Sequence, residues 1–274
     1  MELEELQTIK NQYLAKAEKA YGKLPEQCFD VEIEFWDDIP ENENKPHCAD
    51  CAKNTIFVNK HFLDNIEWTI FHEMEHIRTA VAPYVSDYKT GLVCNFNQYN
   101  HERICDALNE GLTEISVEKL LNKQSNKTVG YFETTQLTRQ FGVIMGLKSD
   151  DELLNFYQPD GFDNLKSKFV ERFGLEGYYF DSLIGNLDYL HKLHTSDLEK
   201  EFEKHGEIKS KPLGSEPCKN TITMREVVQQ SFEIYLQLAK VKGLLSDKQC
   251  LSAQEKMQEL SPYNQDINLL SAPA

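Results

Sequence analysis

The sequence predicts an α+β fold that is mainly α: a small mixed sheet near the N-terminus packed on one amphipathic helix, then a helical C-terminal half. Three observations lead there. Val31-Glu32-Ile33-Glu34-Phe35 alternates, and Thr55-Ile56-Phe57-Val58-Asn59 is β-branched and aromatic, as strands are. Ile66, Ile70, Phe71, Met74 and Ile77 recur at helical spacing just after the second strand. Beyond Asn126 the apolar pattern is mostly helical, with Gly146, Gly161, Gly174 and Gly206 as punctuation.

In chain order, residues 3–21 read as a polar helix with Leu6, Ile9, Tyr13, Leu14 and Ala17 on one side. A polar loop over 37–53 separates the two strands. Asp64 precedes Glu67 by three residues, a capping-box spacing that opens a helix over 64–80, and the helix stops before Ala82-Pro83. The Tyr- and Asn-rich stretch 84–100 reads as an irregular loop that could roof a site. A helix from about 101 to 121 takes its apolar stripe from Leu108, Leu112, Ile115 and Leu120. Further helices are expected over about 133–145, 149–157 (Ser149 with Glu152 as capping box), 162–173, 177–194 and 196–204. Residues 209–219, with Pro212, Gly214 and Pro217, read as a linker before a helix over 221–242 and a last segment over 244–260. The expected organisation is one domain over 1–208, followed by a linker and C-terminal helical segment over 209–274.

Chemistry concentrates in His72-Glu73-Met74-Glu75-His76, an H-E-x-x-H pentapeptide centred on the predicted 64–80 helix. Residues four apart lie one above the other on a helix, so His72 and His76 can point imidazole nitrogens at one zinc ion. Glu73 is rotated by roughly 100° from His72. It stands beside the ion, which suits a general base acting on water. A catalytic zinc needs a third protein ligand and an open position. Asn109-Glu110-Gly111-Leu112-Thr113-Glu114 offers two carboxylates, Glu110 and Glu114, at i and i+4 on one helical face. One can bind the ion while the other holds a ligand imidazole by its remaining N–H. Glu102 and Glu118 are rival ligands, and Glu118 reads more readily as solvated.

H-E-x-x-H followed downstream by N-E-x-x-[ST]-[DE] resembles the gluzincin zinc metallopeptidases, the thermolysin-like superfamily, over roughly residues 54–120. The gap from His76 to Glu110 is longer than is usual there, and Glu114 stands where the family carries an aspartate. The G-x-M-E-N element of the aminopeptidase branch is missing, and so is the longer histidine run of metzincins. The resemblance implies His72, His76 and Glu110 as zinc ligands, Glu73 as the general base, and Glu114 and Asn109 as outer residues steadying the histidines. It implies one Zn2+ per chain, a peptide or protein substrate, and a zinc-dependent peptidase that hydrolyses peptide bonds with a metal-activated water. An edge strand carrying Asn54, Ile56 and Val58 would pair with an extended substrate. For the oxyanion donor, Tyr99, His101 and Tyr131 are the candidates, each also readable as an ordinary structural residue. His191 reads as a satisfied core or surface histidine. The alternative function is a catalytically silent zincin-like sensor or partner-binding protein, against which the intact Glu73 speaks.

The net charge of −16 over 274 residues argues against nucleic acid or an anionic membrane as partner, since both require basic surface. It would suit a basic peptide, although a solvated acidic surface is the simpler reading. No segment has the run of apolar residues that spans a bilayer, and the first residues lack the features of a signal peptide, so the expectation is a soluble, cytoplasmic chain. Seven cysteines, an odd number, fit free thiols in a reducing compartment. Cys48-Ala49-Asp50-Cys51, preceded by His47, admits a second reading as a metal knuckle completed by Cys28, Cys94 or Cys105, but two reduced thiols in a loop is the simpler one.

Overall fold

The computed structural model describes residues 2–35, 47–51, 53–60, 63–81, 89–92, 104–125, 131–158, 160–205 and 219–261. The architecture is α+β and mainly helical, as the sequence predicts. Contacts divide the chain into two units, residues 1–91 with 113–124 and residues 92–112 with 125–274.

In the first unit, helix α1 (Leu3–Tyr21) buries Leu6, Lys10, Tyr13 and Ala17. Lys10 is accommodated because its Nζ donates to the carbonyls of Phe29 (2.8 Å) and Val31 (2.7 Å). A short 3-10 turn, Glu26–Cys28, leads to strand β1 (Glu32–Phe35). Strands β2 (Cys48–Asp50) and β3 (Thr55–Val58) complete a three-stranded mixed sheet in the order β1-β3-β2. β1 runs parallel to β3 with Ile33 opposite Ile56, and β2 runs antiparallel to it with Ala49 opposite Ile56. Two expectations are corrected here. The 37–53 loop contains β2, and the strand carrying Ile56 and Val58 is central, not an edge. Both of its sides are already paired, so it has no free ladder for a substrate strand.

Helix α2 (Ile66–Thr79) packs on α1 and the sheet, with Tyr13 and Phe71 meeting edge-on at 5.3 Å. Its start differs from the expected capping box. Asn65 takes the N-cap in the left-handed region (φ 60°) with no side-chain cap, and the Glu67 carboxylate accepts from Lys123 at 3.1 Å. The pair β4 (Ala80–Val81) and β5 (Lys89–Thr90) then falls partly within the expected loop 84–100.

Helix α3 (Asp106–Leu121) begins five residues later than the sequence suggests and runs through both units. Cys105 at φ 70° breaks the helix just ahead of it, and the Asp188 carboxylate caps the new end. Asp188 accepts from the backbone N–H of Cys105 (2.7 Å) and Ala107 (2.9 Å), a capping partner 81 residues away from Ala107 that no local pattern reveals.

The second unit continues with α4 (Phe132–Ile144), α5 (Asp150–Leu154), α6 (Gly161–Phe173), α7 (Gly177–His205), α8 (Lys219–Val241) and α9 (Asp247–Glu259). Phe162 and Phe169 pack edge-on against Phe180, and Phe169 against Tyr235, forming its aromatic core. The expected helices 177–194 and 196–204 are one helix, α7: no Gly or Pro stands at the junction His194-Thr195-Ser196, and Thr195 Oγ1 is accommodated there by donating to the His191 carbonyl at 3.1 Å. Ser149 caps α5 by accepting from Glu152 N–H, but the Glu152 carboxylate accepts from Lys148 N–H, one residue short of a reciprocal box.

Glu133 on α4 lies 3.0 Å from His194 Nε2 and pairs with Arg225. Burial alone would raise its pKa, but the His194 hydrogen bond and the charges of His194 and Arg225 prevail and hold it at about 2. Because this carboxyl is depressed in the folded state, its stabilisation is present above the unfolded value near 4.3 and is lost as pH falls towards 2. Thermal unfolding between pH 5 and 2 should therefore fall more steeply for the native chain than for Glu133→Gln; parallel profiles would remove Glu133 from the account.

Candidate metal centre

Helix α2 supplies two imidazoles. His72 is buried, and its Nδ1 lies 2.7 Å from Glu114 Oε1. A carboxylate only accepts, so Nδ1 carries the proton and Nε2 keeps its lone pair. His76, one turn on, brings its Nε2 within 3.0 Å of His72 Nε2. The rings meet at 78° with centroids 4.7 Å apart.

Helix α3 supplies the carboxylates. Glu114 is buried and receives a second donor, the Trp68 indole N–H at 2.9 Å on Oε2. Trp68 and His72 are i and i+4 on α2, so one carboxylate is gripped by two residues of one helical face. Glu110 lies one turn before Glu114 on the same helix and is buried too. Among the described residues, His72, His76 and Glu110 each present one ligand atom, all within 4.8 Å of one another. Glu110 is placed here by the rigidity of α3, whose next turn is tied to His72 through Glu114.

Two imidazole nitrogens and a carboxylate oxygen form a donor set that suits zinc. Nitrogens about 2.0–2.1 Å from zinc at a tetrahedral angle stand about 3.3 Å apart, close to the separation seen. With its proton on Nδ1, His72 has Nε2 in the form that could ligate a metal. The residues fit the ion.

Glu73 and Glu75 flank the histidines on opposite sides of α2, each about 80° around from their mean direction at about 100° per residue. Glu73 is buried to 9% exposure, next in sequence to His72. Glu75 is fully buried on the other flank. Desolvation pushes its pKa up, but Arg78 above all, with hydrogen bonds from Ser116 and Tyr13, brings the net shift below the usual carboxylate range.

Within the second unit, Glu110 lines a cavity of about 290 Å³ with Asp106, Tyr131, His191 and Lys192. The Tyr131 and His191 rings are 5.1 Å apart, and His191 Nδ1 is 3.1 Å from Thr134 Oγ1. Burial keeps His191 below its usual pKa despite the opposing pull of Glu110 and Asp106. His191 thus lies beside the candidate ligand Glu110, a placement the sequence did not suggest. Asn109 Oδ1 accepts from Leu92 N–H at 3.2 Å and so anchors backbone ahead of α3. Tyr99 and His101 lie outside the described residues. Glu118, expected to be solvated, is buried on α3, a correction that follows from its i+4 spacing to Glu114. Cys48 and Cys51 join no group of three metal-ligating residues among the described residues, and Cys94 lies outside them.

No protein-family model, curated protein or solved structure matches this chain. No helix among the described residues is long and apolar enough to cross a membrane.

Proposed function

We propose that this chain is a zinc-dependent peptidase of gluzincin type. The observation that carries the reading is the convergence of His72, His76 and Glu110, with Glu114 fixing the His72 tautomer and Glu73 standing alongside. Zinc, when bound, supplies Lewis acidity and makes water nucleophilic near neutral pH. Glu73 accepts the proton from the attacking water on its carboxylate and passes it to the leaving amine nitrogen. Glu114 holds the proton on His72 Nδ1 throughout, so that His72 stays in its ligand form. Tyr131 is the described candidate for the oxyanion donor, because it lines the same cavity as Glu110. A peptide substrate and a cytoplasmic setting belong to this proposal.

A zincin-like binding protein with the same metal is the second reading, and Glu73 favours the enzyme: a purely structural site would need no further carboxylate next to its ligands. Metal analysis of the purified chain, with a digest of an unbiased peptide library, tests both. About one zinc per chain with defined cleavage sites is expected. Zinc without turnover selects the binding protein, and no zinc ends both readings.

A further inference from the structure

Glu75, the second glutamate of the pentapeptide, has no part in the proposed chemistry, yet both its oxygens are saturated with donors. Tyr13 Oη donates to Oε1 at 2.7 Å. Arg78 grips both oxygens, with Nη2 to Oε2 at 2.6 Å. Ser116 Oγ donates to Oε2 at 2.7 Å. The Tyr21 hydroxyl is 2.6 Å from Ser116 Oγ and donates to it, because the Ser116 proton is committed to Glu75. The Arg78 guanidinium in turn lies over the Tyr21 ring at 4.4 Å.

The donors come from different helices: Tyr13 from α1, Arg78 from α2 itself, Ser116 from α3. Ser116 is two residues beyond Glu114, within the stretch of α3 that belongs to the first unit. The metal ligands are divided between α2 and α3, so their convergence depends on the axial register of those two helices. A ligand set must be held within about 0.5 Å. The Glu114 bonds to His72 and Trp68 fix that register on the metal side, and the Ser116–Glu75 bond fixes it on the far flank.

We infer that Ser116, through its bond to Glu75, is a positioning residue that sets the register of α3 against α2 and thereby the affinity of the His72–His76–Glu110 site for zinc. The inference rests on the zinc reading above. It separates two hydrogen bonds to one carboxylate. The Tyr13 bond ties α1 to α2 and leaves the ligand-bearing pair untouched, whereas the Ser116 bond joins that pair.

The test measures zinc affinity by competition with a chromogenic chelator, for the full chain and three variants, alongside thermal unfolding of the metal-free proteins. Outer-sphere changes at zinc sites cost 10–100-fold in affinity. Ser116 acts one step further out, so Ser116→Ala is expected to weaken zinc by about three- to tenfold. Tyr13→Phe should stay within about twofold of the native chain while lowering the unfolding temperature comparably. Ser116→Thr, which keeps the hydroxyl, should restore native affinity. Equal losses in Ser116→Ala and Tyr13→Phe, or native affinity in Ser116→Ala, overturn the positioning role while leaving the zinc reading intact. Failure of the native chain itself to bind zinc overturns the zinc reading, and this inference with it. If Ser116→Ala does not fold, weakened zinc binding in a folded Ser116→Thr overturns the inference, and native affinity there upholds it.

Discussion

Glu73→Gln is expected to lower peptide hydrolysis by about 10²–10⁴-fold, the usual contribution of a positioned acid–base group, while the chain still binds about one zinc. The substitution keeps the size and shape of the side chain but removes its ability to take a proton from water. Glu73 is outside the candidate ligand group of His72, His76 and Glu110, so on the zinc reading the substitution leaves the proposed ligands intact. The combination of lost turnover and retained zinc is what separates a base from a ligand. Had Glu73 been a ligand, the metal content would fall together with the rate. A Glu73→Gln protein that keeps activity within tenfold of native would falsify the assignment of the base, and the proton would have to be taken by another group. The two flanking glutamates make the comparison sharper. Glu75 has the same charge and lies on the same helix, but Tyr13, Arg78 and Ser116 occupy its oxygens. A carboxylate so fully engaged is a structural anchor, and environment alone distinguishes it from its neighbour.

The parts of this picture that were legible in the sequence are those encoded by spacing within one helix. His72 with His76 and Glu110 with Glu114 are both i,i+4 pairs, and each pair needs only a helix to align it. The strands over 31–35 and 55–59 were legible for the same reason, from period-two and β-branched composition. What spacing cannot encode is which element lies beside which. The order β1-β3-β2 made the second strand central, although nothing in Thr55–Val58 distinguishes a central from an edge strand. Helix α3 starts at Asp106 because Asp188, far along the chain, supplies its cap. Trp68 carried a readable signal, since it stands four residues before His72 and shares its face. Its role became definite only with Glu114 opposite. Glu75 carried none: between two histidines of a motif, a second glutamate looks like a solvated filler until Tyr13 and Ser116 are found against it.

Gly111→Ala is expected to destabilise the chain by about 1–3 kcal/mol, the usual cost of forcing an extra carbon into a packed contact. Gly111 lies in α3 between Glu110 and the turn carrying Glu114, and its backbone approaches α4 within the second unit. A Cβ built there would meet Thr138 Oγ1 at 2.0 Å, Thr138 Cβ at 2.7 Å and the Thr134 carbonyl oxygen at 3.1 Å. Rotating the Thr138 hydroxyl away relieves the first clash, but the Cβ contact and the backbone oxygen remain, so α4 must retreat from α3. For a chain of this size the loss corresponds to roughly 2–4 °C in unfolding temperature per kcal/mol. Alanine is otherwise the better helix former by about 1 kcal/mol, so a loss of stability at this position isolates the packing term. A partly compensating change is Thr138→Ala. In the double variant Gly111→Ala/Thr138→Ala only the hydroxyl clash is removed, because alanine keeps the Cβ at position 138 and the Thr134 carbonyl stays in place, so only part of the lost stability should return. An unfolding temperature for Gly111→Ala at or above the native one would mean that α3 and α4 do not approach as closely as the glycine permits. The cost would then lie elsewhere, and the residue between the two motif glutamates would be a matter of helix propensity alone. If the loss and its partial recovery are both seen, the glycine inside N-E-G-L-T-E is explained by its neighbour on α4.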